Sequence, residues 1–271
     1  MPAPEPDWSR LFPDEDYGYQ FGVSSGDPAE FFRNQDDSSA TLKERRQWLA
    51  EDPHRYSAWE SDSAPLLQES FELAREWGTI NESLENTHAD GQILGGAWEP
   101  DFLLLHRRGG EQFQLVGGCV CFPSSWRLRD KIGCPLSQIH KPVPGLNKSL
   151  GPAIDKYLNH LKPGIAWLRS NWGMTPTSDL NYHPDLNRPP LEKPASPDNV
   201  FIRIEDQALV KLPKSDGILF GIRLVILPLN HIMAHKPARR GLARALDTMP
   251  EEVAGYKNLT SASSTILEWL S

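Results

Sequence analysis

The chain has 271 residues, enough to bury a substantial core as one large domain with elaborations. Its net charge of −8 argues against a nucleic acid or an anionic membrane as the main partner. The three cysteines, Cys119, Cys121 and Cys134, form no repeated framework or zinc pattern and suit a reducing compartment. The start, MPAPEPDWSRLFPDEDYGYQ, has neither the basic nor the apolar region of a signal peptide, and no apolar run approaches a membrane span. The expectation is a soluble, cytoplasmic protein.

Residues 1–38 read as an extended arm that packs through Trp8, Phe12, Tyr17, Tyr19 and Phe21, with one domain over 39–271. TLKERRQWLAED predicts a helix with Thr41 as its cap and Glu44 completing a capping box, stopped by Asp52 and Pro53. SAPLLQESFELAREWG predicts a second, with Leu66, Leu67, Phe71, Ala74 and Trp77 on one face and Gly78 at its end. Asn81 to Glu99 reads as loop. Phe102–His106 and Phe113–Phe122 then read as a hairpin turning on Gly109 and Gly110, with His106 an outward-facing strand residue.

After Pro123, Ser124 or Ser125 is expected to cap a short helical turn through Trp126 and Leu128. A segment that is neither helix nor strand follows and closes on IHKPVPG, residues 139–145. Two prolines and a glycine so soon after His140 restrict the backbone and hold that ring in a narrow range of directions. Such a histidine suits metal binding or proton transfer; it equally suits a turn whose ring satisfies nearby backbone groups. The next stretch predicts a helix with Ile154, Tyr157, Leu158 and Leu161 on one face, interrupted near Pro163 and Gly164 and resuming towards Trp172, with His160 a surface residue at the end of its first piece. The run from Thr175 to Asn199 is a proline-studded loop.

VFIRIEDQALVKLP and GILFGIRLVILPL form the clearest strand pair. Alternation puts Phe201, Arg203, Glu205 and Gln207 on one face of the first, and Ile202, Ile204 and Asp206 on the other. Charges among such apolar neighbours mean either a solvated face or the polar lining of a pocket. Amphipathic helices in ARRGLARALDTMPEEVAGYK and SSTILEWLS close the chain.

Four segments together, VCFPSSWRLRDKIGCPLSQIHKPVPG, LRSNW at 168–172, RIEDQALVKLPKSDGILFGIR and ALDTMPEEVAGYKNL, resemble the haem-dependent oxidative N-demethylase family from about Leu42 to the C-terminus. The resemblance implies an α+β fold, a PAS-like antiparallel sheet with helices on one side and helical additions at both ends, holding haem b. It implies a monooxygenase that works with dioxygen and a separate flavin and iron–sulfur reductase. A small methylated amine is hydroxylated at its N-methyl group and collapses to formaldehyde and the shorter amine. Within that frame His140 is the expected iron ligand, with a Cys121 thiolate as the competing choice. Arg203 and Arg223 are candidates to pair with haem propionates. Glu205 is the candidate catalytic group, holding a cationic amine or relaying protons. Trp126, Asn171 and Trp172 are candidate cofactor-lining residues, while Lys131 and Gln207 carry no assigned role. Asp206 and Ala208 depart from the family's third motif, and the loop over 175–199 is longer and more polar than the pattern. A haem-binding PAS-type sensor or carrier without turnover is the alternative, since fold alone does not fix function.

Overall fold

The computed structural model describes residues 6–19, 22–35, 38–80, 88–109 and 112–271. Among these described residues there are seven strands, β1 (Ser24–Gly26), β2 (Ser57–Trp59), β3 (Asp101–His106), β4 (Gln114–Cys119), β5 (Ala166–Thr175), β6 (Phe201–Lys211) and β7 (Ile218–Pro228). They form one sheet in the order β1-β5-β6-β7-β3-β4-β2, each neighbouring pair antiparallel. With helices before and after the sheet, the fold is α+β.

The β6–β7 pair is the backbone of this sheet, in unbroken register from Phe201 opposite Pro228 to Lys211 opposite Ile218. β-Branched and aromatic residues fill both strands. Their turn is pinned from outside: the buried Glu69 carboxylate accepts from the backbone N–H groups of Lys214 (2.7 Å) and Ser215 (2.8 Å). Asp216 takes the left-handed conformation there, with φ 56°.

Both faces of the sheet are covered, whereas the resemblance implied helices on one side. Phe102 and Leu104 of β3 pack with Phe71, Leu94 and Trp98 under helices Ser39–Glu51, Ala64–Glu76 and Gly91–Ala97. Ile202 and Ile204 of β6 extend that face under the C-terminal helices Lys236–Asp247 and Ser263–Leu270. The alternate residues Leu103 and Leu105 pack the other way, with Leu115, Leu128 and Leu158 of helix Leu146–Leu158. A strand buried on both faces reads as the continuous apolar run seen in DFLLLH.

Several expectations are corrected. The first helix starts at Ser39 rather than after Thr41, so the capping box is not used. Helix Gly91–Ala97 lies in the stretch read as loop; Asp90 caps it by accepting from Gln92 N (2.7 Å). Its glycines, poor helix formers, are there for close packing: a Cβ on Gly95 would come within 2.2 Å of Cys119 Sγ. No helix runs through Trp126–Leu128, and Ser125 has φ 64°. The largest correction is β5, a ten-residue strand where a resumed helix was read. The arm contributes a short helix, Trp8–Leu11, and the edge strand β1, with Trp8 and Phe12 buried. Phe21 and Gly110 lie outside the described residues. Among the described residues no helix is long and apolar enough to cross a membrane.

Candidate functional site

A cavity of about 720 Å³ opens on the face that carries Leu103 and Leu105, a size typical of small-molecule and cofactor sites. Its floor is the sheet and its far wall is helix Leu146–Leu158 with the loop before it. The lining is divided. On the β3, β4 and β7 side it is apolar, with Leu103, Leu105, Leu115, Phe220 and Ile222. On the β5 and β6 side it is polar, because alternation turns Arg169 and Asn171 of β5, and Arg203, Glu205 and Gln207 of β6, to the same face.

His140 lies on this wall. It directly follows a short helix, Leu136–Ile139, which the sequence reading left unstructured. Its backbone N–H donates to Leu136 O (2.9 Å) and its carbonyl accepts from Val143 N (3.0 Å). Gly145, at φ 73°, then turns the chain into the next helix. The arm braces this loop from outside, the Tyr19 hydroxyl donating to Pro144 O at 2.5 Å. Among the described residues nothing hydrogen-bonds the His140 ring, so the reading of a turn-satisfying histidine fails. Burial holds its pKa below the ordinary value, and the charges of Arg169 and Lys131 add to that. Both effects favour the neutral imidazole, the form that ligates metals.

Glu205 sits at the centre of the polar wall. One carboxylate oxygen accepts from Ser124 Oγ (2.6 Å) and the other from Gln207 Nε2 (3.1 Å), which gives Gln207 the role it lacked. Lys257, missed from sequence, reaches the cavity from beyond helix Glu251–Tyr256. Its ammonium donates to Trp172 O (2.6 Å) and lies 4.9 Å from the Trp172 ring centre. Burial lowers its pKa to about 8, against the opposing pull of Glu205. Trp126 lines the apolar side, half-buried, and Asn171 and Trp172 line the polar side, as does Lys131 near the His140 loop.

Three expected ligands are displaced. Arg223 faces away from the cavity: the register sets it opposite Asp206, on the other side of the sheet. There it is 6% exposed, pairs with Glu99 and donates to the carbonyls of Phe31 (2.6 Å) and Arg33 (2.8 Å). Arg203 does touch the cavity, but its guanidinium is spent on the protein, donating to Phe122 O (2.8 Å), Leu180 O (2.7 Å) and Ser124 Oγ (2.8 Å). It braces two loops against the floor. Cys121 is fully buried in the core of the opposite face, and burial raises its thiol pKa, the reverse of what a thiolate ligand needs.

Fold and cavity define an α+β protein with a chamber, half apolar and half charged, on one side of an antiparallel sheet. The chain belongs to the family of haem-dependent oxidative N-demethylase, alpha subunit-like proteins, which it matches over residues 79–267. The match includes His140, all the polar-wall residues of β5 and β6, and Lys257; the arm and the first two long helices lie before it.

Proposed function

We propose that the chain binds haem b in this cavity, that His140 would hold its iron, and that the chain demethylates a small amine with dioxygen and electrons from a separate flavin and iron–sulfur reductase. The observation that carries the reading is a half-buried imidazole without a hydrogen-bond partner among the described residues, facing a chamber with one apolar and one charged side. That lining fits haem, whose macrocycle is apolar and whose propionates are not; the PAS likeness of the sheet belongs to the same proposal.

Bound haem supplies oxygen activation and the oxidising equivalents for hydroxylation of an N-methyl group. The chain's own residues do the rest. His140, held by Pro142, Pro144 and the Tyr19 latch, offers its ring nitrogen from a fixed direction. Glu205, fixed by Ser124 and Gln207, offers the negative charge that a cationic amine needs to leave water for a pocket, or the carboxylate through which a proton reaches the reaction. Trp126, Asn171 and Trp172 shape the chamber.

The test is aerobic incubation of haem-loaded protein with methylated amines and an electron donor. Formaldehyde released in proportion to the amine lost is the expected outcome. Haem binding without amine-dependent formaldehyde across small methylated amines would instead favour the sensor or carrier reading.

A further inference from the structure

Arg169 is the arginine of this cavity that the fold has not employed. It lies on β5 opposite Gln207 of β6, on the chamber's polar wall, half-buried. Among the described residues its guanidinium makes no hydrogen bond and no ion pair. The other arginines near it are all engaged. Arg10, also on the lining, donates to Ser24 Oγ (2.6 Å), Gly22 O (2.7 Å) and Leu168 O (2.7 Å), while Arg203 is spent on loop carbonyls. The carboxylate whose field reaches Arg169 is Glu205, already held by Ser124 and Gln207.

A guanidinium stays charged in proteins and carries five donors in a planar fork matched to a carboxylate. Leaving it half out of water with no acceptor is costly, and a fold that keeps it there gains when an anion arrives. His140, on the far wall of the same chamber, is close enough for the charge of Arg169 to lower its pKa. We propose that Arg169 is the carboxylate anchor of the chamber and that the carboxylate it takes is a propionate of the haem ligated by His140. This rests on the haem reading above and replaces Arg203 and Arg223 in that role. Held so, the carboxylates would lie against the polar lining of β5 and β6, which leaves the apolar lining of β3, β4 and β7 for the macrocycle.

The experiment compares ferric haem with its dimethyl ester, which keeps the macrocycle and removes both carboxylates. Each is titrated by Soret absorbance into the wild-type chain and into Arg169→Leu and Arg169→Lys variants. The wild type is expected to bind haem at least about tenfold tighter than the diester. Arg169→Leu should lose that preference by weakening haem alone, and Arg169→Lys should keep part of it. Equal wild-type affinity for haem and diester overturns the anchor while leaving haem binding intact, as does a preference that survives in Arg169→Leu. A variant that keeps its haem preference but loses affinity for acetate or another small carboxylate added to the loaded protein overturns it too, moving Arg169 to the substrate. Absence of any Soret band with either ligand sinks the haem reading itself, and the anchor with it.

Discussion

Glu205→Gln is the substitution that separates the site's charge from its shape. The carboxylate accepts from Ser124 Oγ and from Gln207 Nε2. A glutamine can keep both contacts, its oxygen still accepting from Ser124 and the Gln207 amide turning to present its own oxygen. Geometry and haem uptake should therefore survive. What disappears is the anion that faces an incoming ammonium. A hydrogen bond to a charged group is worth about 1.5–3 kcal/mol net. At about 1.4 kcal/mol per tenfold, the amine dissociation constant should rise by roughly one to two orders of magnitude. The assay is amine titration of the haem-loaded protein, followed by the Soret shift, with formaldehyde release measured in parallel. An unchanged amine dissociation constant with turnover lost would assign Glu205 to proton delivery. Unchanged binding together with unchanged turnover would refute any functional charge at this position.

Other residues make equally definite predictions. Arg223→Leu should leave haem affinity at the wild-type value in a Soret titration, because Arg223 faces away from the cavity, yet lower stability in urea, because Glu99, only 10% exposed, loses its cationic partner. Asp101→Ala should cost roughly 3–5 kcal/mol in chemical denaturation, since it strands the fully buried Arg45 and also leaves the N–H groups of Cys121 and Phe122 without an acceptor. Lys257 gives a pH signature. Its folded pKa of about 8 lies below the ordinary 10.5, so between these values the unfolded chain binds the extra proton. Stability should therefore rise with pH across that window, and on acidification fall until about pH 8 and level off below it. A Lys257→Met variant should lack that slope in denaturation curves collected at several pH values; an identical slope would exclude Lys257 as its source.

The strand pair of β6 and β7 was legible because alternation and turn chemistry agree along its whole length. So was the sharing of one face by Arg203, Glu205 and Gln207. What alternation within a strand does not carry is register between strands, and for that reason Arg223 could be grouped with Arg203 when pairing opposite Asp206 sends it to the other side. β5 was hidden by its surroundings: Pro163 and Gly164 follow a genuine helix, and Trp167 and Trp172, five residues apart, share a face in neither a helix nor a strand. Arg169 and Asn171 share a face once the strand is known, but Ser170 between them is polar too, so no local alternation pointed to Arg169. Lys257 carried no local signal, because its burial comes from packing against Trp172, far away in sequence. The helix Gly91–Ala97 was hidden by glycines whose purpose is tertiary: Gly91 packs against the Trp59 ring and Gly95 against Cys119.

The most direct measurement is ferric haem titration of His140→Ala beside the wild type, with and without added imidazole. The wild type should form a stoichiometric complex with a histidine-ligated spectrum. The variant should remain folded by circular dichroism, lose that spectrum, and regain it when imidazole enters the space left by the ring. A folded His140→Ala protein with wild-type haem affinity and an unchanged ferric spectrum would contradict the account and move the iron to another ligand.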